Sequence, residues 1–166
     1  MMFSINYTDI KINNGIIKYL VDEYSFNSFP IQKSLPALLI RDINLTFDYN
    51  TKTANDIWGY HPFKKWIVSQ LILPKYCKGE LNLILSMDEK EIHRISSTEK
   101  WQTYYDPNSG WICIGNSNIN LEDNYDKYNG AIEFYPNVIA VLYNGELEAI
   151  WIKPQIVGGI KLILKS

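Results

Sequence analysis

The chain has 166 residues, of which 46% are apolar, 14% aromatic and 20% charged, and its formal net charge at pH 7 is −2. This composition excludes a disordered chain, and a chain of this length can form a single domain over residues 1–166 that buries roughly 70% of its extended surface. No apolar run is long enough to span a membrane, and the first residues lack the pattern of a signal peptide. We therefore expect a soluble, cytoplasmic protein that does not contact a membrane.

The N-terminal part of the chain has the two-residue periodicity of β-strands. A strand is predicted from Phe3 up to Asn14-Gly15, where a turn ends it. Residues 16–24 fit either a strand that returns along the first one or a helical stripe, and the hairpin is the preferred interpretation. Two prolines among polar residues predict a loop over 25–36.

The next segment contains the best candidate for a helix. Alternating apolar residues predict one long strand over about 37–49, and polar residues predict a loop over 51–56. Residues 62–73 have apolar side chains at helical spacing between two prolines, which favours a helix, although a strand remains an alternative.

Two further hairpins are predicted in the second half of the chain. One joins 80–86 to 92–96 across a charged turn, and the other joins 101–106 to 111–115 across Asp106-Pro107-Asn108-Ser109-Gly110. A strand over 131–135 then leads through Pro136-Asn137 into the final hairpin, and a last strand is predicted over 160–164.

The final hairpin, 138–154, is the clearest feature, because two apolar runs meet at Asn144-Gly145. This pair suits the two positive φ angles of a type I′ turn, and the turn sets the pairing of the strands. The predicted pairs, which share one face, are Leu142 with Leu147, Ala140 with Ala149 and Val138 with Trp151. We expect Trp151 to be buried on that face.

Serial hairpins joined by short turns predict antiparallel sheets, and about nine strands in one domain must fold into two layers or curl. The expected fold class is α+β, predominantly antiparallel β, as a β-sandwich or open barrel with one or two helices. A purely parallel arrangement would need crossover helices that the sequence does not provide.

Charge is distributed unevenly along the chain. Residues 102–152 hold seven acidic residues and one lysine, whereas the rest of the chain is slightly basic. A surface of one sign attracts partners of the opposite sign and repels the phosphates of nucleic acid. The predicted partner-binding residues combine these carboxylates with nearby tyrosines: Glu122, Asp123, Tyr125, Asp126, Tyr128, Tyr143, Glu146 and Glu148.

Candidate catalytic groups are few. His61 precedes the predicted helix and could act with Asp56 or Cys77, but dyads are defined by geometry, and this spacing is not diagnostic. The two histidines and two cysteines lack metal-ligand spacing, and Glu122, Asp123 and Asp126 lack the ligand order of a calcium loop, so no cofactor or metal is expected. Four aromatic residues could form a sugar platform, although aromatic residues of a β-rich domain usually pack in its core: Trp101, Tyr104, Tyr105 and Trp111.

The favoured hypothesis is a non-enzymatic binding protein whose acidic, tyrosine-bearing surface captures a basic protein partner. These properties are typical of a bacterial immunity protein that neutralises a nuclease toxin, because a nuclease site must be cationic to hold phosphates. The alternatives are an enzyme of unrecognised type that uses His61, and a sugar- or ligand-binding β-domain.

Overall fold

The computed structural model describes residues 2–7, 14–32, 36–84, 91–116 and 130–159. These residues form sixteen β-strands. The first eight are β1 (Phe3–Asn6), β2 (Ile16–Leu20), β3 (Ser25–Phe29), β4 (Ala37–Ile40), β5 (Ile43–Phe47), β6 (Ala54–Tyr60), β7 (Ile67–Val68) and β8 (Cys77–Lys78). The other eight are β9 (Glu80–Leu83), β10 (Ile92–Arg94), β11 (Gln102–Tyr105), β12 (Ile112–Gly115), β13 (Gly130–Tyr135), β14 (Val138–Tyr143), β15 (Glu146–Ile152) and β16 (Gln155–Val157).

The strands form two seven-stranded sheets and one two-stranded sheet. The first sheet has the order β10-β4-β5-β6-β3-β2-β16, the second has the order β7-β11-β12-β15-β14-β13-β8, and β1 pairs with β9. Both large sheets have an antiparallel centre, and a short parallel strand is added at each edge. The prediction of antiparallel-rich sheets is confirmed, and within the described ranges neither large sheet closes into a barrel.

One apolar core joins the layers. It contains Phe26 and Leu45 from the first sheet, Ile114 and Ile150 from the second, and Leu81 from the two-stranded sheet. A smaller cluster lies on the other face of the second sheet, where Cys113, Val141 and Trp151 are covered by Leu71 and Leu73. The second sheet is therefore buried on both faces, so its strands can be apolar almost throughout.

The predicted helix over 62–73 is wrong. Within the described residues, helical structure is limited to three short 3-10 turns, Val21–Glu23, Phe63–Lys65 and Ser96–Lys100. The apolar residues at helical spacing serve two different clusters, because Phe63 and Trp66 pack in the main core whereas Leu71 packs in the smaller one. Strand β7 lies between them and pairs with β11.

Several predicted strand boundaries are also wrong. The long strand over 37–49 is a hairpin, β4–β5, which turns at Arg41-Asp42 with Arg41 at a φ of 54°. Residues 25–29 are strand β3 and not a loop. Of the predicted loop over 51–56, residues 54–56 belong to strand β6. Residues 16–20 are a strand, as the preferred interpretation required. This strand, β2, pairs with β3 and β16. The N-terminal strand predicted to pair with it lies partly outside the described residues.

The hairpin expected between 80–86 and 92–96 does not form among the described residues. Strand β9 pairs with β1, and β10 joins the edge of the first sheet beside β4. The other hairpins form: β11 pairs with β12, and β13, β14 and β15 pair in series. In the last hairpin only Leu142 with Leu147 pairs as predicted, because a bulge shifts the register. Ala140 lies opposite Ile150 and Val138 opposite Ile152, so the predicted pairs with Ala149 and Trp151 are wrong, and Trp151 is buried on the other face of the sheet from Val138. The strand predicted over 160–164 lies outside the described residues.

Candidate functional site

The end of the β14–β15 hairpin is an ordered projection built by its turn. Asn144 and Gly145 have φ angles of 50° and 77°, as the predicted type I′ turn requires. The N-terminal strand holds this turn from the side, because the Phe3 N–H donates to the Gly145 carbonyl at 2.7 Å and Met2 bridges to Glu146. Tyr143, which is 43% exposed, and Glu146 are therefore presented on a fixed backbone.

Glu146 and Glu148 line a cleft of about 570 Å³ beside this turn. Phe3, Leu147 and Trp101 contribute its apolar lining, and Ser96, Ser97 and Asn116 contribute polar groups. His93 and Arg94 of β10 also line the cleft. The Arg94 guanidinium donates to the Arg41 carbonyl at 3.1 Å, which holds the side chain along the edge of the first sheet. The cleft therefore combines carboxylates with basic side chains.

The structure brings together three of the eight predicted partner-binding residues. Tyr143, Glu146 and Glu148 lie at one end of the β14–β15 hairpin. The other five predicted residues, Glu122, Asp123, Tyr125, Asp126 and Tyr128, lie outside the described residues, as does the loose calcium site considered for three of them.

Two further carboxylates of the acidic segment do not contribute to an exposed acidic surface. Asp106 is buried and accepts hydrogen bonds from the backbone N–H groups of Leu71 at 3.0 Å and Asn108 at 2.9 Å. Glu133 is 7% exposed within β13. The excess of acidic residues in segment 102–152 is therefore only partly exposed on the protein surface.

His61 is a buried residue at the centre of a chain of polar contacts. Its Nδ1 contacts the Asp42 carboxylate, and its Nε2 lies 2.7 Å from the Thr103 hydroxyl. An ionised carboxylate only accepts hydrogen bonds, so Nδ1 is the donor in the Asp42 contact, and Nε2 makes the contact with Thr103. The residue is 3% exposed, and its ring packs beside both Phe26 and Trp66, with ring centroids 5.8 and 5.9 Å away.

Neither partner that the sequence suggested for His61 contacts it in the structure. Asp56 is fully buried and accepts hydrogen bonds from the hydroxyls of Ser28, at 2.7 Å, and Thr46. Cys77 is exposed on β8. No local pattern pointed to Asp42 or Thr103, because they lie 19 and 42 residues from His61 and only the packing of the sheets joins them.

A pocket of about 320 Å³ opens beside this polar chain. Asp42, His61 and Thr103 form part of its wall, and Tyr60, Pro62 and Trp66 contribute apolar surface. Its basic residues are Arg41, from the β4–β5 turn, and Lys64 and Lys65, from the 3-10 turn after β6. The Arg41 guanidinium also donates to the Trp101 carbonyl.

The four aromatic residues considered as a sugar platform do not share an exposed face. Trp101 and Tyr105 are buried in the main core, at 4% and 1% exposed. Tyr104 and Trp111 pack against the smaller cluster on the other face of the sheet. This arrangement matches the core packing that is usual for aromatic residues in β-rich domains.

Two other possible sites among the described residues are the buried cysteine and the arrangement of potential metal ligands. Burial raises the pKa of the Cys113 thiol far above its ordinary value, which keeps it a neutral, unreactive thiol. In the part of the chain that the structure describes, no group of three or more His, Cys, Asp or Glu residues could hold a metal ion.

Comparisons with known proteins give no relative from which a function could be transferred. No protein-family model, curated protein or solved structure matches this chain. The described segments also contain no helix that is long and apolar enough to cross a membrane.

Proposed function

We propose that this protein is a binding protein that captures a basic protein partner with the end of the β14–β15 hairpin. The observation that carries the proposal is the placement of Tyr143, Glu146 and Glu148 together on a turn that the N-terminal strand holds in place. A preformed contact surface binds at a lower entropic cost than a surface that must order on binding.

The chemistry of the surface favours a partner with a cationic site. Carboxylates at Glu146 and Glu148 can occupy positions that phosphate groups would take in such a site, and a nuclease toxin is the partner class that this fits. Tyr143 adds a large, rigid contact side chain of a type that is frequent at the energetic centre of interfaces. An immunity protein would combine these properties with the absence of chemistry of its own.

Arg94 and His93 line the same cleft as the two glutamates, and this limits the charge pattern of a partner that could fill it. A partner that fills the cleft must present cationic groups to Glu146 and Glu148 and an acidic or hydrogen-bond-accepting group to Arg94. Such alternation of charge fixes the orientation of docking and discriminates against partners of uniform charge.

The test is a comparison of two double variants with equal changes in charge. The first, Glu146→Lys with Glu148→Lys, alters the hairpin end, and the control, Asp22→Lys with Glu23→Lys, alters exposed acids on the 3-10 turn after β2. The partner is first sought as the product of the adjacent gene, co-expressed and co-purified with this protein, and association kinetics are then measured at several salt concentrations.

The hairpin variant should associate at least about tenfold more slowly than wild type at low salt, because rim charges act through a field that is screened within about 8 Å at physiological ionic strength. The control should associate like wild type. Tyr143→Ala should instead speed dissociation, since a contact residue contributes short-range packing. Equal, salt-independent association of wild type, the hairpin variant and the control would show that the acidic hairpin end is only a solvated surface.

A second candidate function rests on the chain of side-chain contacts from Asp42 through His61 to Thr103. This is the arrangement of an acid, a histidine and a hydroxyl nucleophile in acyl-transfer enzymes, and it lies beside a pocket. The assay is hydrolysis of a panel of activated esters by wild type, Thr103→Ser and Thr103→Ala. An enzyme should retain activity in the serine variant and lose it in the alanine variant, whereas equal rates in all three would exclude Thr103 as a nucleophile.

A further inference from the structure

We propose that the pocket beside His61 binds a small organic anion, a compound with an aromatic or apolar body and one carboxylate or phosphate group. The pocket is built by the β4–β5 turn, the end of β6 and its following 3-10 turn, and β11. It contains none of the partner-binding residues, so this inference is independent of the proposed function.

The size of the pocket limits its occupant. A volume of about 320 Å³ is at the lower end of the range for small-molecule sites, which accommodates a single ring with a polar substituent. Tyr60, Pro62 and Trp66 supply apolar surface for the body of such a compound.

The charge of the lining selects an anion. Three basic side chains, Arg41, Lys64 and Lys65, line the pocket together with one acidic residue, Asp42. The Asp42 carboxylate is already bound to the His61 ring. Asp42 is thus already engaged, and the three basic groups outnumber it as the charges that a ligand can neutralise.

Among the described residues, Trp66 adds a buried, unpartnered donor to the pocket wall. Trp66 is 5% exposed and lines the pocket, and its indole N–H has no hydrogen-bond acceptor among the described residues. A buried N–H without an acceptor is costly, and such a group in a native protein is often satisfied by a ligand or water. A change in the pocket lining when a ligand binds should therefore register at this N–H.

His61 itself acts as a wall of the pocket. Its Nδ1 binds Asp42 and its Nε2 binds Thr103, so both ring nitrogens are used within the protein. These contacts fix the β4–β5 turn against β6 and β11 and thereby preorganise the pocket.

The experiment uses benzoate and phenyl phosphate as probes, with benzamide as the uncharged control. Binding to the full chain is followed through the indole N–H signal of Trp66 in nitrogen-labelled protein, identified by its loss in Trp66→Phe. Fragments of this size bind at millimolar concentrations, so titrations extend to about 10 mM. We expect at least one anion to shift the Trp66 signal saturably, and benzamide to bind at least about tenfold more weakly.

Two matched double variants test the role of the basic residues. Lys64→Gln with Lys65→Gln removes two exposed lysines of the pocket, and Lys75→Gln with Lys78→Gln removes two exposed lysines that do not line it. The first should weaken anion binding by about fivefold to tenfold, and the second should leave it within twofold of wild type. Failure of both anions to shift the Trp66 signal, equal binding of benzamide, or equal losses in the two variants would overturn the proposal.

Discussion

Val141 lies opposite Ala149 across the last hairpin, whereas Leu142 lies opposite Leu147, so Glu148 is an extra residue on β15. This β-bulge reverses the faces of the strand beyond it. Leu147 packs in the main core, but Ala149 and Trp151 pack in the smaller cluster with Ile139 and Val141. Glu146 and Glu148, the residues around this bulge, both line the cleft beside the turn.

Truncation of Trp151 should test the smaller cluster. Trp151 is fully buried there, so we expect Trp151→Ala to lower the free energy of unfolding by about 3 to 5 kcal/mol. Tyr143→Ala, at an exposed position of the same hairpin, should change it by less than about 0.5 kcal/mol. Urea denaturation of both variants measures this difference, and an unchanged midpoint for Trp151→Ala would show that the second face of the sheet is not a packed core.

Substitution of Gly145 should test the turn. Its φ is 77°, and an added Cβ would lie 2.5 Å from the Met2 Cε. Gly145→Val places a β-branched residue in this region and should destabilise the protein by about 2 to 4 kcal/mol. Gly145→Asn should cost less, because asparagine tolerates positive φ. Thermal unfolding compares the two variants, and the reverse order would be inconsistent with a type I′ turn.

Two buried tyrosines should respond in opposite ways to the loss of their hydroxyl groups. The Tyr19 hydroxyl donates to the His61 carbonyl at 2.8 Å, so Tyr19→Phe should cost about 1 kcal/mol. The Tyr135 hydroxyl has no hydrogen-bond partner among the described residues, so Tyr135→Phe should be neutral or stabilising. Denaturant unfolding at neutral pH tests both, and a larger loss for Tyr135→Phe would contradict this assignment.

The same Tyr135 variant predicts a dependence on alkaline pH. Burial, together with the negative charge of Asp56, raises the pKa of Tyr135 from 10.0 to about 12. The unfolded chain therefore ionises first, and wild-type stability should fall between about pH 10 and pH 12. Over this range, Tyr135→Phe should gain up to about 2 kcal/mol relative to wild type. A constant difference between the two proteins across this range would contradict the prediction.

Asp106 should make the protein sensitive to acid. Burial by itself raises the pKa of Asp106, but hydrogen bonds from the N–H groups of Leu71, Asn108 and Ser109 outweigh burial and hold the pKa below 3.8. Its contribution is therefore complete above about pH 4 and is lost as the pH falls through the lowered value. Asp106→Ala should cost about 2 to 3 kcal/mol at neutral pH, because three N–H groups lose their acceptor.

The acid dependence can be separated from the loss of the side chain by using Asp106→Asn, which keeps an amide oxygen but cannot ionise. The difference in unfolding free energy between wild type and Asp106→Asn should shrink below about pH 4, because there the unfolded chain takes up a proton at Asp106 before the native carboxyl does. Urea denaturation at several pH values checks this, and a difference that grows in acid would reverse the sign of the predicted linkage.

The sequence by itself determined the features that depend on neighbouring residues. Asn144-Gly145 specifies a type I′ turn because both residues tolerate positive φ. Asp106 specifies the turn between β11 and β12 because its side chain binds the N–H groups two and three residues on. The antiparallel hairpins that these turns join follow from them. Periodicity alone failed at 62–73, where the apolar residues of an extended segment happen to recur at helical spacing.

Only the tertiary structure decided which distant residues meet. The bulge at Glu148, the pairing of β10 with β4, and the contacts of His61 with Asp42 and Thr103 all depend on how complete sheets pack. Both faces of the second sheet are apolar, so alternation along β14 and β15 could not indicate which face Trp151 occupies. Turns are selected by the conformational preferences of a few adjacent residues, whereas registers and side-chain clusters are selected by the burial of apolar surface and the pairing of polar groups across the whole chain.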